Sequence, residues 1–197
     1  ANNVAVGTNA LEANTTGERN VAVGSTAGDA ITTGIRNVLM GYTAGGSLIT
    51  GSNNAAFGEQ ALANDTNGHH STAFGHAALA NQNFTSTTDS NNTAVGYNAG
   101  LSVTTGTSNT LIGGLAGDAL TTGSSNVAVG YGALTTDDVG QWNVAIGRDA
   151  LASQNIASAA NTYNTAVGGA AGTAVTTGIQ NTFIGGLAGD ANTTASY

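Results

Sequence analysis

Three of the residues best able to do chemistry in this chain, His69, His70 and His76, lie close together. Neutral imidazoles from neighbouring loops could converge on a metal ion. The simpler reading, solvated residues beside the turns at Gly68 and Gly75, is preferred. Asp137 and Asp138 are adjacent carboxylates. A glycosidase pair would need a facing partner across a groove, so a solvated turn is preferred here too. Asp29, Asp118 and Asp190 share one repeat position and could form an acidic stripe for Ca²⁺. The Gly-Gly-x-Gly-x-Asp pattern of calcium-binding rolls is missing, however. The expectation is therefore no catalytic residue, no cofactor and no metal.

The aromatic residues offer a different chemistry. Tyr42, Tyr97 and Tyr131 each follow a glycine at the same repeat position, and Trp142 sits at a turn. Tyr163 and Phe84 lie in or beside the two insertions described below. Exposed aromatic faces stack on sugars, because the ring face is apolar and its edge can be polar. The alternative is packing between turns. These six residues are the candidate surface or receptor contacts, with a surface glycan as the partner.

Composition narrows the field. Only 7% of the 197 residues are charged, and the formal net charge is −8, with three arginines and no lysine. A nucleic-acid binder needs a basic patch to displace counterions from phosphate, so no nucleic-acid partner is expected. No apolar run approaches the roughly 20 residues of a membrane span. The chain opens at Ala1, not Met, and is expected to be a processed product or a piece of something longer. Without cysteine, no disulfide framework is possible. Such a Gly-, Ala-, Asn- and Thr-rich composition would suggest disorder unless its apolar residues fell on a pattern.

They do. The unit Asn-x-x-apolar-Gly begins at Asn3, Asn20, Asn37, Asn54, Ser71 (Ser replacing Asn), Asn92, Asn109, Asn126, Asn143, Asn164 and Asn181. The step is 17 residues, except for two steps of 21 that carry four-residue insertions near 83–88 and 155–160. With Asn at offset 0, offset 3 is always apolar, offset 4 always Gly and offset 7 always Ala. Each unit reads as a short strand with two apolar faces, as in a strand buried on both sides.

The coils are of two kinds. Five carry Leu at offset 8, namely Leu11, Leu62, Leu79, Leu134 and Leu151, and six carry Gly. Most Gly coils supply an aliphatic at offset 11 instead, such as Ile31, Leu48 or Leu120. This predicts a volume exchange that keeps the interior at its normal packing density. Where offset 11 is polar, as at Asp65, an alanine replacement is expected to cost little beside Leu62→Ala. The kinds alternate in pairs, giving a longer period of 72 residues, and both insertions fall at the same place in it.

A coil this short is too small for helix-containing repeats. The fold class predicted is all-β, a parallel β-solenoid of eleven coils in one domain spanning 1–197. Offset 2 reads Ala5, Ala22, Leu39, Ala56, Ala73, Ala94, Leu111, Ala128, Ala145, Ala166 and Phe183. If the larger offset-3 residues point into the coil, period-two alternation puts this stripe outside it. It is then the candidate axis between parallel copies, unless turns of the same chain cover it.

Asn-Thr-Ala-Val-Gly-Tyr-Asn-Ala-Gly at 92–100 resembles the short repeats of bacteriophage tail-fibre proteins. Asn-Val-Ala-Val-Gly at 3–7 and Asn-Val-Ala-Ile-Gly at 143–147 are similar to the head repeats of trimeric autotransporter adhesins. The resemblance covers essentially the whole chain. It implies a parallel homotrimer, extracellular, on a virion fibre or a cell surface, mediating attachment to a host or surface. Two other classes remain open. A partial ladder of threonines, including Thr15, Thr32, Thr104, Thr121 and Thr176, would suit ice. Open coil ends would suit a self-assembling extracellular filament.

Overall fold

Each Asn at offset 0 turns its side chain into the coil, and this sets the direction of the strand that follows. In the computed structural model, which describes residues 2–196, Asn37 is fully buried. Its Oδ1 accepts the Asn54 N–H at 3.0 Å and its Nδ2 donates to Gly51 O at 2.8 Å. The same two bonds recur at Asn20, Asn109 and Asn126. One amide thus satisfies a donor on the next coil and an acceptor at its own second turn. Only a primary amide carries both functions at this length.

After each corner runs a three-residue strand. In chain order the strands are β1 (Val4–Val6), β2 (Val21–Val23), β3 (Val38–Met40), β4 (Ala55–Phe57), β5 (Gly68–His69), β6 (Thr72–Phe74), β7 (Thr88–Asp89), β8 (Thr93–Val95), β9 (Thr110–Ile112), β10 (Val127–Val129), β11 (Val144–Ile146), β12 (Thr165–Val167) and β13 (Thr182–Ile184). All but β5 and β7 form one eleven-stranded parallel sheet in sequence order. Register is maintained along it, with Ala5 opposite Ala22 and Ala128 opposite Ala145. The fold is an all-β parallel β-solenoid of about eleven turns, with no helix among the described residues. β5 and β7 form a separate two-stranded pair beside the first insertion.

Glycine ends each strand because the coils touch there. Gly113 has φ +134°, and a Cβ on it would lie 2.5 Å from Gly130 O. Beyond this point the chain turns through left-handed residues. Even Leu62 is held at φ 54°, a conformation that costs an L-residue about 1–2 kcal/mol. Full burial of its side chain offsets that cost.

The interior shows the volume exchange, with a third participant. Leu39 lies fully buried between two Gly coils. A Cβ on Gly28 would sit 2.7 Å from Leu39 Cδ1, and one on Gly45 2.8 Å from Leu39 Cδ2. Leu111 occupies the same space over Gly100 and Gly117. Offset 8 is Gly in these coils because the offset-2 leucine and the offset-11 aliphatic already fill the cross-section.

This corrects the expected axis. Ala22, Leu39, Ala56, Ala73, Ala94, Leu111, Ala128, Ala145 and Ala166 are buried in the core of the single chain, with Phe183 packed against it. Ala5, in the terminal strand β1, is exposed, but it continues the same inward-turned line. Alternation runs from the inward Asn, so offset 2 points in and offsets 1 and 3 point out. The size of the offset-3 residues was a misleading guide. The strand wall is narrow, and the Leu of offset 8 or its substitutes fill the space behind it.

Candidate functional site

The inward Asn and Ala leave the other side of every strand facing out. Val6 is 56% exposed and Phe74 55%, and Val4, Met40, Ile112, Ile146 and Ile184 are also exposed on this face. Parallel register stacks them into columns along the sheet. Phe57 and Phe74 stack on each other with ring centroids 5.4 Å apart. The result is an uncharged strip running the length of the sheet, apolar throughout its offset-3 column and interrupted in its offset-1 column by Thr72, Thr93, Thr110, Thr165 and Thr182, and the apolar column can bury itself against another apolar surface.

The candidate contact residues fall in two places. Tyr42, Tyr97 and Tyr131 are exposed, in the column just beyond the strand-ending glycines. Tyr97 stacks on His76 in the neighbouring coil, with centroids 5.4 Å apart. Trp142 and Tyr163 occupy another column, immediately before the Asn corner. They stack on each other at 6.3 Å with an interplanar angle of 26°. Phe84 is not a surface residue. It is only 5% exposed, and it closes the coil beneath the first insertion. Its N–H donates to Asp65 Oδ1 at 3.2 Å, and its carbonyl accepts from Thr66 Oγ1 at 2.7 Å. The inserted loop needs an apolar residue to seal the interior it leaves open, and Ile156 does the same in the second insertion.

The polar candidates do not converge. His69 Nδ1 accepts the Ser52 N–H at 3.0 Å, and His70 Nδ1 faces Asp89 Oδ1 at 3.1 Å. His76 is taken up by Tyr97. Among the described residues no three His, Cys, Asp or Glu side chains are grouped to hold a metal ion. Asp29 borders an open groove with Gln60, Asn64 and Asn81, whereas Asp118 Oδ1 accepts from Thr135 Oγ1 at 2.5 Å. Asp137 is buried in the coil, where its oxygens are taken by the Gly140 N–H and Gln154 Nε2.

Asp65 and Asp137 instead belong to a buried polar network. Asp65 Oδ1 accepts the Gly68 N–H at 3.0 Å and its Oδ2 accepts Gln82 Nε2 at 2.6 Å. Gln82 reaches on to Ser71 Oγ at 2.8 Å and accepts Asn92 Nδ2 at 2.9 Å. It bridges the place where Ser71 interrupts the Asn ladder. Asp137 repeats the arrangement with Gln154 and Gly140, and Gln154 with Asn164. Burial raises both aspartate pKa values above the usual carboxylate range, against the lowering effect of these hydrogen bonds. The sequence signal was available, because Asp65 and Asp137, like Gln82 and Gln154, are 72 residues apart, and each Asp–Gln pair precedes an insertion.

No helix among the described residues is long and apolar enough to cross a membrane. No family model, curated protein or solved structure matches the chain.

Proposed function

We propose that the solenoid is a structural and adhesive segment of a fibre displayed on a virion or cell surface, built by lateral association of parallel copies and working without catalysis. The observation that carries this reading is the apolar offset-3 column, from Val6 to Ile184, on the uncharged outward face of the eleven-stranded sheet. A contiguous apolar strip of this length is unusual on a soluble monomer and marks an interaction surface. A parallel arrangement brings the same column of each copy to the same height, so one self-complementary strip serves every coil. The resemblance to tail-fibre and adhesin repeats favours three copies around an axis. That axis is lined by offsets 1 and 3.

Ice binding is disfavoured by the hydrogen bonding of the threonines. Thr15, Thr104 and Thr121 donate their hydroxyls to carbonyls one coil away, at 2.9, 3.1 and 2.9 Å. Those protons are spent along the stack and not offered to a flat water lattice.

The test is a double substitution, Val129→Glu with Ile146→Glu, which puts charges on the outward face and leaves the interior untouched. The variant is expected to keep the circular dichroism of the parent and to sediment as single chains. A variant that sediments like an assembled parent would remove this face from the assembly.

A further inference from the structure

The column just before the Asn corner reads Asn2, Arg19, Arg36, Asn53, His70, Asn91, Ser108, Ser125, Trp142, Tyr163 and Gln180 down the solenoid, and every member has φ between 50° and 73°. This left-handed corner suits Asn and strains bulky residues. Trp142, at φ 63°, is nevertheless 52% exposed, and Tyr163, at φ 52°, is 48% exposed. Neither belongs to the core. The backbone is common to the whole column, so what sets these two apart is their size and exposure: two large aromatic rings, stacked on each other, stand where the other coils carry polar side chains.

Their surroundings hold them in place. Gln141 pairs with Asn161 across the coils. The Thr162 N–H and hydroxyl both donate to Gln141 O, at 3.0 and 2.8 Å. Asn161 Nδ2 donates to the Tyr163 hydroxyl at 3.1 Å. One face of Trp142 is covered by Tyr163. On the other side the Trp142 backbone N–H donates to Ser124 O at 3.2 Å, so its neighbour in the column is Ser125, followed by Ser108. With coils about 4.8 Å apart, the register puts two consecutive small, hydroxyl-bearing residues next in the column beyond the indole, a shelf with an aromatic floor. At the equivalent corner 72 residues earlier the column holds Arg36, Asn53, His70 and Asn91. There the column carries larger polar side chains in place of the two serines, and His70 is turned to Asp89.

We infer that the shelf formed by Trp142, Tyr163, Ser125 and Ser108 is a binding site for a neutral pyranose ring. The apolar face of the sugar stacks on the indole, and its hydroxyls meet the two serines. Rigid stacked rings limit the ordering cost on binding. With a net charge of −8, the protein repels polyanionic glycans, so the ligand is an uncharged hexopyranoside. The inference deepens the adhesive reading by locating its contact, but its test is independent of self-association.

Trp142 is the sole tryptophan, so its emission reports on this shelf alone. Methyl β-galactopyranoside, methyl α-mannopyranoside and N-acetylglucosamine are titrated separately, with glycerol as the control. At least one sugar is expected to give a saturable emission shift with a millimolar midpoint and to protect the indole from iodide quenching. Ser125→Arg fills the shelf with a residue the same column already carries at Arg19 and Arg36. It is expected to abolish the response while leaving thermal melting and sedimentation unchanged. The proposal is overturned if no sugar shifts the emission up to about 100 mM, well above a weak millimolar constant. It is equally overturned if Ser125→Arg responds like the parent, or if it alters sedimentation, which would make the shelf an assembly contact. A parent that responds to sugar yet sediments as single chains would retain the shelf and defeat only the fibre.

Discussion

Between Ile31 and Leu48 the solenoid is filled by hydrocarbon, with Leu39 lying over Gly28 and Gly45. One coil further on, between Asp65 and Gln82, the same cross-section is closed by a carboxylate and an amide. Both solutions are fully buried. The difference shows that the fold demands volume and satisfied backbone groups, and tolerates either chemistry that supplies them. The polar solution stands where the chain leaves the stack. Ser71 breaks the Asn ladder there and the insertion opens the wall, so loose donors have to be met. Asp65 collects the N–H groups of Gly68 and Phe84, and Gln82 carries the ladder on to Asn92.

The comparison can be broken first at its dry end. Leu39→Ala empties the space between two glycines that cannot fill it. It is expected to lower stability by about 2–5 kcal/mol, read as a shift in the urea midpoint. At the wet end, Asp65→Ala is expected to cost about 1–3 kcal/mol, because the N–H groups of Gly68 and Phe84 and the Gln82 amide lose their acceptor. A negligible effect at Asp65 would mean that water or a rearranged Gln82 replaces it, and the polar closure would lose its significance.

A smaller effect sharpens the same contrast. Burial raises the folded-state pKa of Asp65 and Asp137, so the folded chain holds those protons more tightly than the unfolded chain. Their contribution is fully present below the ordinary carboxylate pKa and is lost as pH rises through the raised value. Urea midpoints are therefore expected to fall as pH rises from about 4, the ordinary aspartate pKa, toward neutrality. The double variant Asp65→Asn, Asp137→Asn should flatten that fall. A parent whose midpoint falls on acidification over this range would contradict the assignment.

Much of the architecture was legible in the repeat. The unit starting at each Asn marks the strands of the main sheet, and the Leu-for-aliphatic exchange between Leu62 and Ile31 is present in the interior. The faces of the strand were not legible from size alone. Val6 and Ile146 are larger than Ala5 and Ala145, which suggested the reverse of what the inward Asn dictates. The amide's capacity to ladder was the better guide. Asp65 was misjudged because a carboxylate at a turn is usually solvated, and its partner Gln82 lies a full coil away. Phe84 was misjudged because an insertion suggests exposure, whereas this one needs a plug. Trp142 and Tyr163 are exposed as expected, but their mutual stacking depends on the coil-to-coil register across an insertion.

The central claim, that outward-facing strands associate with copies of the same chain, is tested most directly by the mass of the unmodified protein in solution. Sedimentation equilibrium at micromolar concentration is predicted to give three times the 19.1 kDa of one chain. A mass of one chain would contradict the account and leave the strip from Val4 to Ile184 without its proposed partner.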